Sequence, residues 1–120
     1  LRHQPAVEIC WLLPKARVQF RLRGHRLTLP LALLQRERHR HWQELSPTGR
    51  ALWGWPPPGQ PLDRAAAFPD QLPDDTPLPS QFELMRIGLE QVEWLALADH
   101  PHRRSRWRAE RGWSEEPLNP

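Results

Sequence analysis

The 120-residue sequence predicts a mainly β domain with one helical excursion, an α+β class, and three observations carry that reading. Two neighbouring runs alternate apolar and polar residues with the period of a half-buried strand. A leucine- and arginine-rich run then shows the spacing of a helix with one apolar stripe. Strand-like alternation returns only after a segment too rich in proline to enter a sheet interior.

In chain order, AVEICWLLP (6–14) sets Val7, Ile9, Trp11 and Leu13 on one face. ARVQFRLRG (16–24) sets Val18, Phe20 and Leu22 against Arg17, Gln19, Arg21 and Arg23. Pro14-Lys15-Ala16 joins the two as an antiparallel hairpin, and Gly24-His25 then turns the chain into a short strand, RLTL. Cys10, between Ile9 and Trp11, reads as a core thiol rather than a nucleophile. Pro30 suits a first helical position. LALLQRERHRHWQEL (31–45) follows with Leu31, Leu34, Trp42 and Leu45 roughly in line, and with Arg40 one turn from Glu44. SPTGRALW (46–53) is a second, short helix capped by Ser46, with Pro47 just inside it.

Residues 54–81 hold eight prolines and are expected to form one long extended loop. FELMRIG (82–88), QVEWLALA (91–98) and HRRSRWRAE (102–110) are expected as three further strands, and WSEEPLNP as an extended tail anchored by Trp113. With no internal repeat, 1–120 is read as a single domain whose proline-rich loop is 54–81.

Composition narrows the classes. Seven tryptophans argue for a folded chain. No apolar run approaches the ~20 residues of a membrane span. A single cysteine excludes an internal disulfide framework and suits a reducing cytoplasm. The net charge of +3 comes from 17 basic residues, all but Lys15 arginine, interspersed with 14 acidic ones. That is a weak field, and it weighs against a nucleic-acid partner.

The stretch HPHRRSRW (100–107) concentrates the chemistry. With a turn centred on Asp99, Trp94 faces Arg104, Ala96 faces His102 and Val92 faces Arg106, while Leu95 and Leu97 point to the core. An indole, a guanidinium and an imidazole would then share one wall, suited to a planar anionic ligand. A bulge in the turn exchanges every pair for the other register. Other readings stay open for the same residues. The arginines can be a solvated edge, His100 and His102 a metal pair lacking a third ligand, or the cluster a nucleic-acid surface with tryptophans for stacking. There is no G-x-S-x-G elbow, P-loop or G-x-G-x-x-G, so nucleophilic catalysis and nucleotide binding of those kinds are unsupported.

Several motifs together resemble the pyridoxamine 5′-phosphate oxidase family of FMN-binding split β-barrels. They are EICW (8–11), RVQFRLRG (17–24), PPPGQPL (56–62), VEWLAL (92–97), PHRR (101–104) and the closing Trp113-SEEP-Leu118-Asn119-Pro120. The resemblance covers nearly the whole chain and is nearest to the cyanobacterial-type oxidase-related flavoproteins. It implies an antiparallel split β-barrel, FMN as cofactor and an FMN-dependent oxidoreductase activity on a small-molecule substrate. It also implies a homodimer with the flavin at the subunit interface. Gln19, Trp94 and Arg104 would contact the cofactor, and His102 the substrate. Family strands bearing the FMN-phosphate ligands would precede Leu1, so the chain reads as the C-terminal portion of such a barrel. His100 stands where the family has an arginine for the vitamer phosphate, and SPTGR where it has R-P-R-D-S. These departures weigh against pyridoxamine-phosphate oxidase activity proper.

Overall fold

A computed structural model describes residues 5–120. The chain forms two compact units, one from Leu1–Thr28 with Met85–Pro120, the other from Leu29–Leu84.

The first unit is a five-stranded antiparallel sheet in chain order: β1 (Ala6–Leu13), β2 (Val18–Leu27), β3 (Arg86–Ala96), β4 (Arg103–Arg108) and β5 (Glu116–Leu118). The mainly β class with a helical excursion is therefore observed, and the sheet is open rather than closed into a barrel. The first hairpin forms as expected, with Trp11 opposite Phe20 and Leu13 opposite Val18. Pleating then separates two faces. Ile9, Trp11, Phe20, Leu22, Val92, Trp94 and Trp107 share one face. Glu8, Gln19, Arg21, Arg23, Glu93, Arg104, Arg106 and Glu116 share the other.

The boundaries differ from expectation where glycine suggested a break. Gly24-His25 does not turn, and β2 runs on to Leu27. The runs expected as strands 82–88 and 91–98 are one strand, β3. A bulge reconciles them: Arg23 pairs with Gln91 and Gly24 with Leu89, so Glu90 is the extra residue. A Cβ on Gly24 would lie 2.0 Å from the Gly88 carbonyl oxygen. Glycine is needed here to let two backbones approach, not to reverse the chain. The carboxylate of Glu90 bonds Nδ1 of His25 across the same irregularity. The strand expected over 102–110 ends at Arg108 in a single 3₁₀ turn, Ala109–Arg111. The tail is not an anchored extension: its Glu116–Leu118 pairs with β4, and Trp113 is 42% exposed.

The second unit holds α1 (Leu31–Glu44), α2 (Pro47–Ala51) and the proline-rich loop. Pro30 sits at the N-cap of α1, and Ser46 caps α2 by accepting from the Gly49 N–H at 3.0 Å. Arg40 bridges Glu37 and Glu44 along the exposed face of α1, at 2.6 and 3.0 Å. The core is an edge-to-face cluster of Trp42, Trp53 and Phe82, with ring centroids 5.0 to 6.5 Å apart.

Proline removes backbone donors from the loop, and side chains replace them. The Trp42 indole N–H donates to the Thr76 carbonyl at 2.9 Å, and Arg38 donates to the carbonyls of Phe82 and Pro79. Arg50, only 2% exposed, donates to Asp74 at 2.6 Å and to the carbonyls of Trp42 and Gln43. A buried guanidinium is tolerable only with such full pairing. Among the described residues, no helix is long and apolar enough to cross a membrane.

Candidate functional site

The charged face of the sheet carries a cleft of about 290 Å³ lined by Gln19, Arg21, Glu93, Trp94, Leu95, Arg104 and Pro120. Gln19, Trp94 and Arg104, the three residues implicated in cofactor contact, therefore all border one cleft, although only Gln19 and Arg104 share its face. They do so through a different register from the one expected. Trp94 pairs with Ser105 and Leu95 with Arg104, one residue out of step with a turn centred on Asp99.

The cause is the loop. Leu97 to His102 gives an even number of residues between the paired ends Ala96 and Arg103, so the turn centres between Asp99 and His100. A one-residue slip exchanges the faces of a whole strand. Leu95, expected in the core, is on the face of Gln19 and Arg104. The Trp94 side chain is on the opposite, apolar face, where the Arg103 guanidinium carbon stands 5.2 Å from its ring centroid. Trp94 borders the cleft as the strand residue between Glu93 and Leu95. His102 lies outside the strand, exposed at the end of the β3–β4 loop. It faces neither Ala96 nor the cleft lining.

Two residues of this face stand differently from the sequence expectation, Glu93 and Cys10. Glu93, on the central strand, is 13% exposed at its side chain and accepts a charge-assisted bond from Arg104 Nη2 at 2.8 Å. The Gln91 amide donates to its other oxygen at 3.2 Å. Its signal was the alternation itself, which sets Glu93 on the face opposite Val92 and Trp94. Cys10 is not a core thiol: it is exposed beside Gln19, whose amide donates to its sulfur at 2.9 Å. Its strand parity with Gln19 and Arg21 already separated it from Ile9 and Trp11.

The neighbouring arginines are occupied. Arg106 and Arg108 both bind Glu116 of β5, at 2.9 and 3.0 Å, and this holds the Glu116 carboxyl below the usual glutamate range. Hydrogen bonds from Arg108, then from Arg106, are the main cause; desolvation opposes them. The same pair raises Arg108. A depressed carboxyl contributes stability in full above its unfolded value, near 4.5, and loses it as pH falls through the lower folded value. Acidification through that range thus weakens the side-chain hold on β5. The protection factor of the Leu118 amide will fall there, and Glu116→Gln will abolish that fall. A protection factor unchanged through this range in the wild type would contradict the assignment.

Among the described residues, no group of three or more His, Cys, Asp or Glu side chains is placed to hold a metal ion. The proline-rich segment belongs to the helical unit, where Leu52, Trp55, Pro57, Leu62 and Phe68 line an apolar groove.

No family model matches the chain, and no curated protein is similar to it at a significant level. A solved structure is similar: a pyridoxamine 5′-phosphate oxidase-related, FMN-binding protein from Nostoc punctiforme PCC 73102. It shares 32% sequence identity over 99% of this chain, with a TM-score of 0.73. This chain spans 65% of the length of that protein. The resemblance read from the sequence motifs is borne out.

Proposed function

We propose that this chain, a relative of the pyridoxamine 5′-phosphate oxidase-related FMN-binding proteins, binds FMN and serves in a cytoplasmic FMN-dependent oxidoreductase acting on a small molecule. The observation that carries this reading is the meeting of Gln19, Glu93, Leu95 and Arg104 on one face of the sheet. The donor set fits a flavin. The pyrimidine edge of the ring offers two carbonyl acceptors flanking one N–H. Arg104 and the Gln19 amide can donate, Glu93 and the Gln19 oxygen can accept, and Leu95 offers an apolar surface to the ring.

When bound, the flavin supplies the redox chemistry; the protein supplies binding, orientation and electrostatics. Arg104, held in place by Glu93, meets the polar edge of the cofactor. Gln19, held by Cys10, fixes its rotation in the plane. Trp94 supports the strand from the apolar side, and His102 contacts the substrate from the exposed end of the β3–β4 loop. The flavin lies at a subunit interface in a homodimer. This part of the reading rests on the family resemblance, and the exposed apolar residues Ile9 and Trp11 are compatible with it.

The nucleic-acid alternative loses its main support, because Arg104, Arg106 and Arg108 each carry a carboxylate partner. The full-length protein mixed with FMN and desalted will retain flavin absorbance near ~450 nm and sediment as a dimer. A colourless protein that cannot be reconstituted would overturn the proposal. Bound flavin that no reductant or substrate can turn over would instead mark a flavin-storing homologue.

A further inference from the structure

The geometry points to Glu93 as the residue that sets which charge the cleft accepts: it reserves Arg104 for an uncharged polar ligand edge and keeps free anions out. This deepens the flavin reading and rests on it for the identity of the ligand. Its basis is the arrangement of charge on the central strand. Glu93 stands directly opposite Arg21 on one side and Arg106 on the other, and it is bonded to Arg104 at 2.8 Å. One carboxylate therefore sits among three guanidiniums.

The other carboxylates of this face are shared with arginines that do not line the cleft. Glu8 lies beside Arg21 and Arg23, and Glu116 binds Arg106 and Arg108. Glu93 is thus the counter-charge of the cleft itself, and at 13% side-chain exposure its field is little screened by water. Without it, Arg104 and Arg21 would face the cleft together as an anion site of the kind guanidiniums form with phosphate. With it, an incoming phosphate or carboxylate meets a like charge already bonded to Arg104. A neutral carbonyl meets Arg104 donors that the bond through Nη2 leaves in place. Selection here comes from repulsion of the wrong ligand as much as attraction of the right one. Glu93 acts through Arg104 and is a positioning residue.

The test uses two probes, inorganic phosphate and lumiflavin, a flavin ring without a phosphate. Phosphate is titrated against ¹⁵N-labelled full-length protein while the Arg104 Nε–H signal is followed. Lumiflavin binding is read by fluorescence quenching. The wild type will show no phosphate response at Arg104, and its lumiflavin affinity will be indifferent to added phosphate. Glu93→Gln, which keeps the shape and an acceptor oxygen, will bind phosphate roughly tenfold or more tightly than the wild type. Its lumiflavin binding will become phosphate-sensitive. Glu93→Asp will restore exclusion, and Glu93→Gln combined with Arg104→Ala will lose the new phosphate site. Phosphate binding at Arg104 in the wild type, or equal phosphate affinity in Glu93→Gln and wild type, overturns the proposal. The wild-type arm decides even if a variant fails to fold. Failure of lumiflavin to bind the wild type overturns the flavin reading alone, because the phosphate titration still measures what Glu93 does.

Discussion

In the Arg104→Ala variant, FMN affinity falls roughly 10- to 100-fold, the range expected for one lost charge-assisted hydrogen bond. Arg108→Ala, at the far end of the same strand face, leaves affinity within about twofold of the wild type, because Arg108 engages Glu116 and Glu110 and does not line the cleft. The measurement is a fluorescence titration of FMN against each variant. Truncation has a second consequence. Glu93, 13% exposed, loses its cation and retains only the Gln91 amide, so Arg104→Ala also costs stability, about 1–3 kcal/mol. Combining Arg104→Ala with Glu93→Gln should recover that stability without recovering FMN binding. Wild-type affinity in Arg104→Ala would remove this arginine from the site. Recovery of binding in the double variant would mean that the loss came from folding, not from contact.

The largest stability effect falls in the helical unit. Trp42→Ala will destabilise that unit by about 3–5 kcal/mol, the range for emptying a buried aromatic site. Trp42 is 2% exposed and packs edge-to-face on Trp53 and Phe82. It also lies under the Arg50 guanidinium, 5.9 Å from its ring, and donates to the Thr76 carbonyl. One truncation removes the ring, exposes one face of a buried cation and frees a carbonyl of the proline-rich segment. Urea unfolding followed by near-UV circular dichroism gives the free energy. Trypsin cleavage after Arg64 reports whether the loop has come loose. A loss below ~1 kcal/mol, or a loop as resistant as the wild type's, would show that the aromatic cluster does not hold the segment.

Strand alternation places the residues of one hairpin and leaves those of the other open. The alternation of 6–14 and 16–24 gave the first hairpin and its two faces correctly, because a hairpin with a short turn leaves little freedom in register. It therefore placed Gln19 and Arg21 together on the polar side. The second hairpin was legible as a pair of strands but not in register. Its turn spans six residues, and nothing local fixes whether the centre falls on Asp99 or between Asp99 and His100. That half-step decided whether Trp94 or Leu95 shares a face with Arg104. Gly24 and Gly88 illustrate the same limit. Each looked like a break, yet the two lie in neighbouring strands, where a Cβ on Gly24 would collide with the Gly88 carbonyl and one on Gly88 would crowd the Leu27 side chain.

The sequence by itself determined the mainly β class, the helical excursion with its caps, the long proline-rich loop and the set of motifs that mark the chain as a relative of an FMN-binding protein. It could do so because alternation, capping and proline restriction are local, acting over a few residues. Only the tertiary structure decided the register of β3 on β4, the pairing of the C-terminal tail as β5 and the bond between Glu93 and Arg104. Those depend on contacts between residues distant in sequence, where one added loop residue exchanges the two faces of a strand and so chooses which side chains meet a ligand.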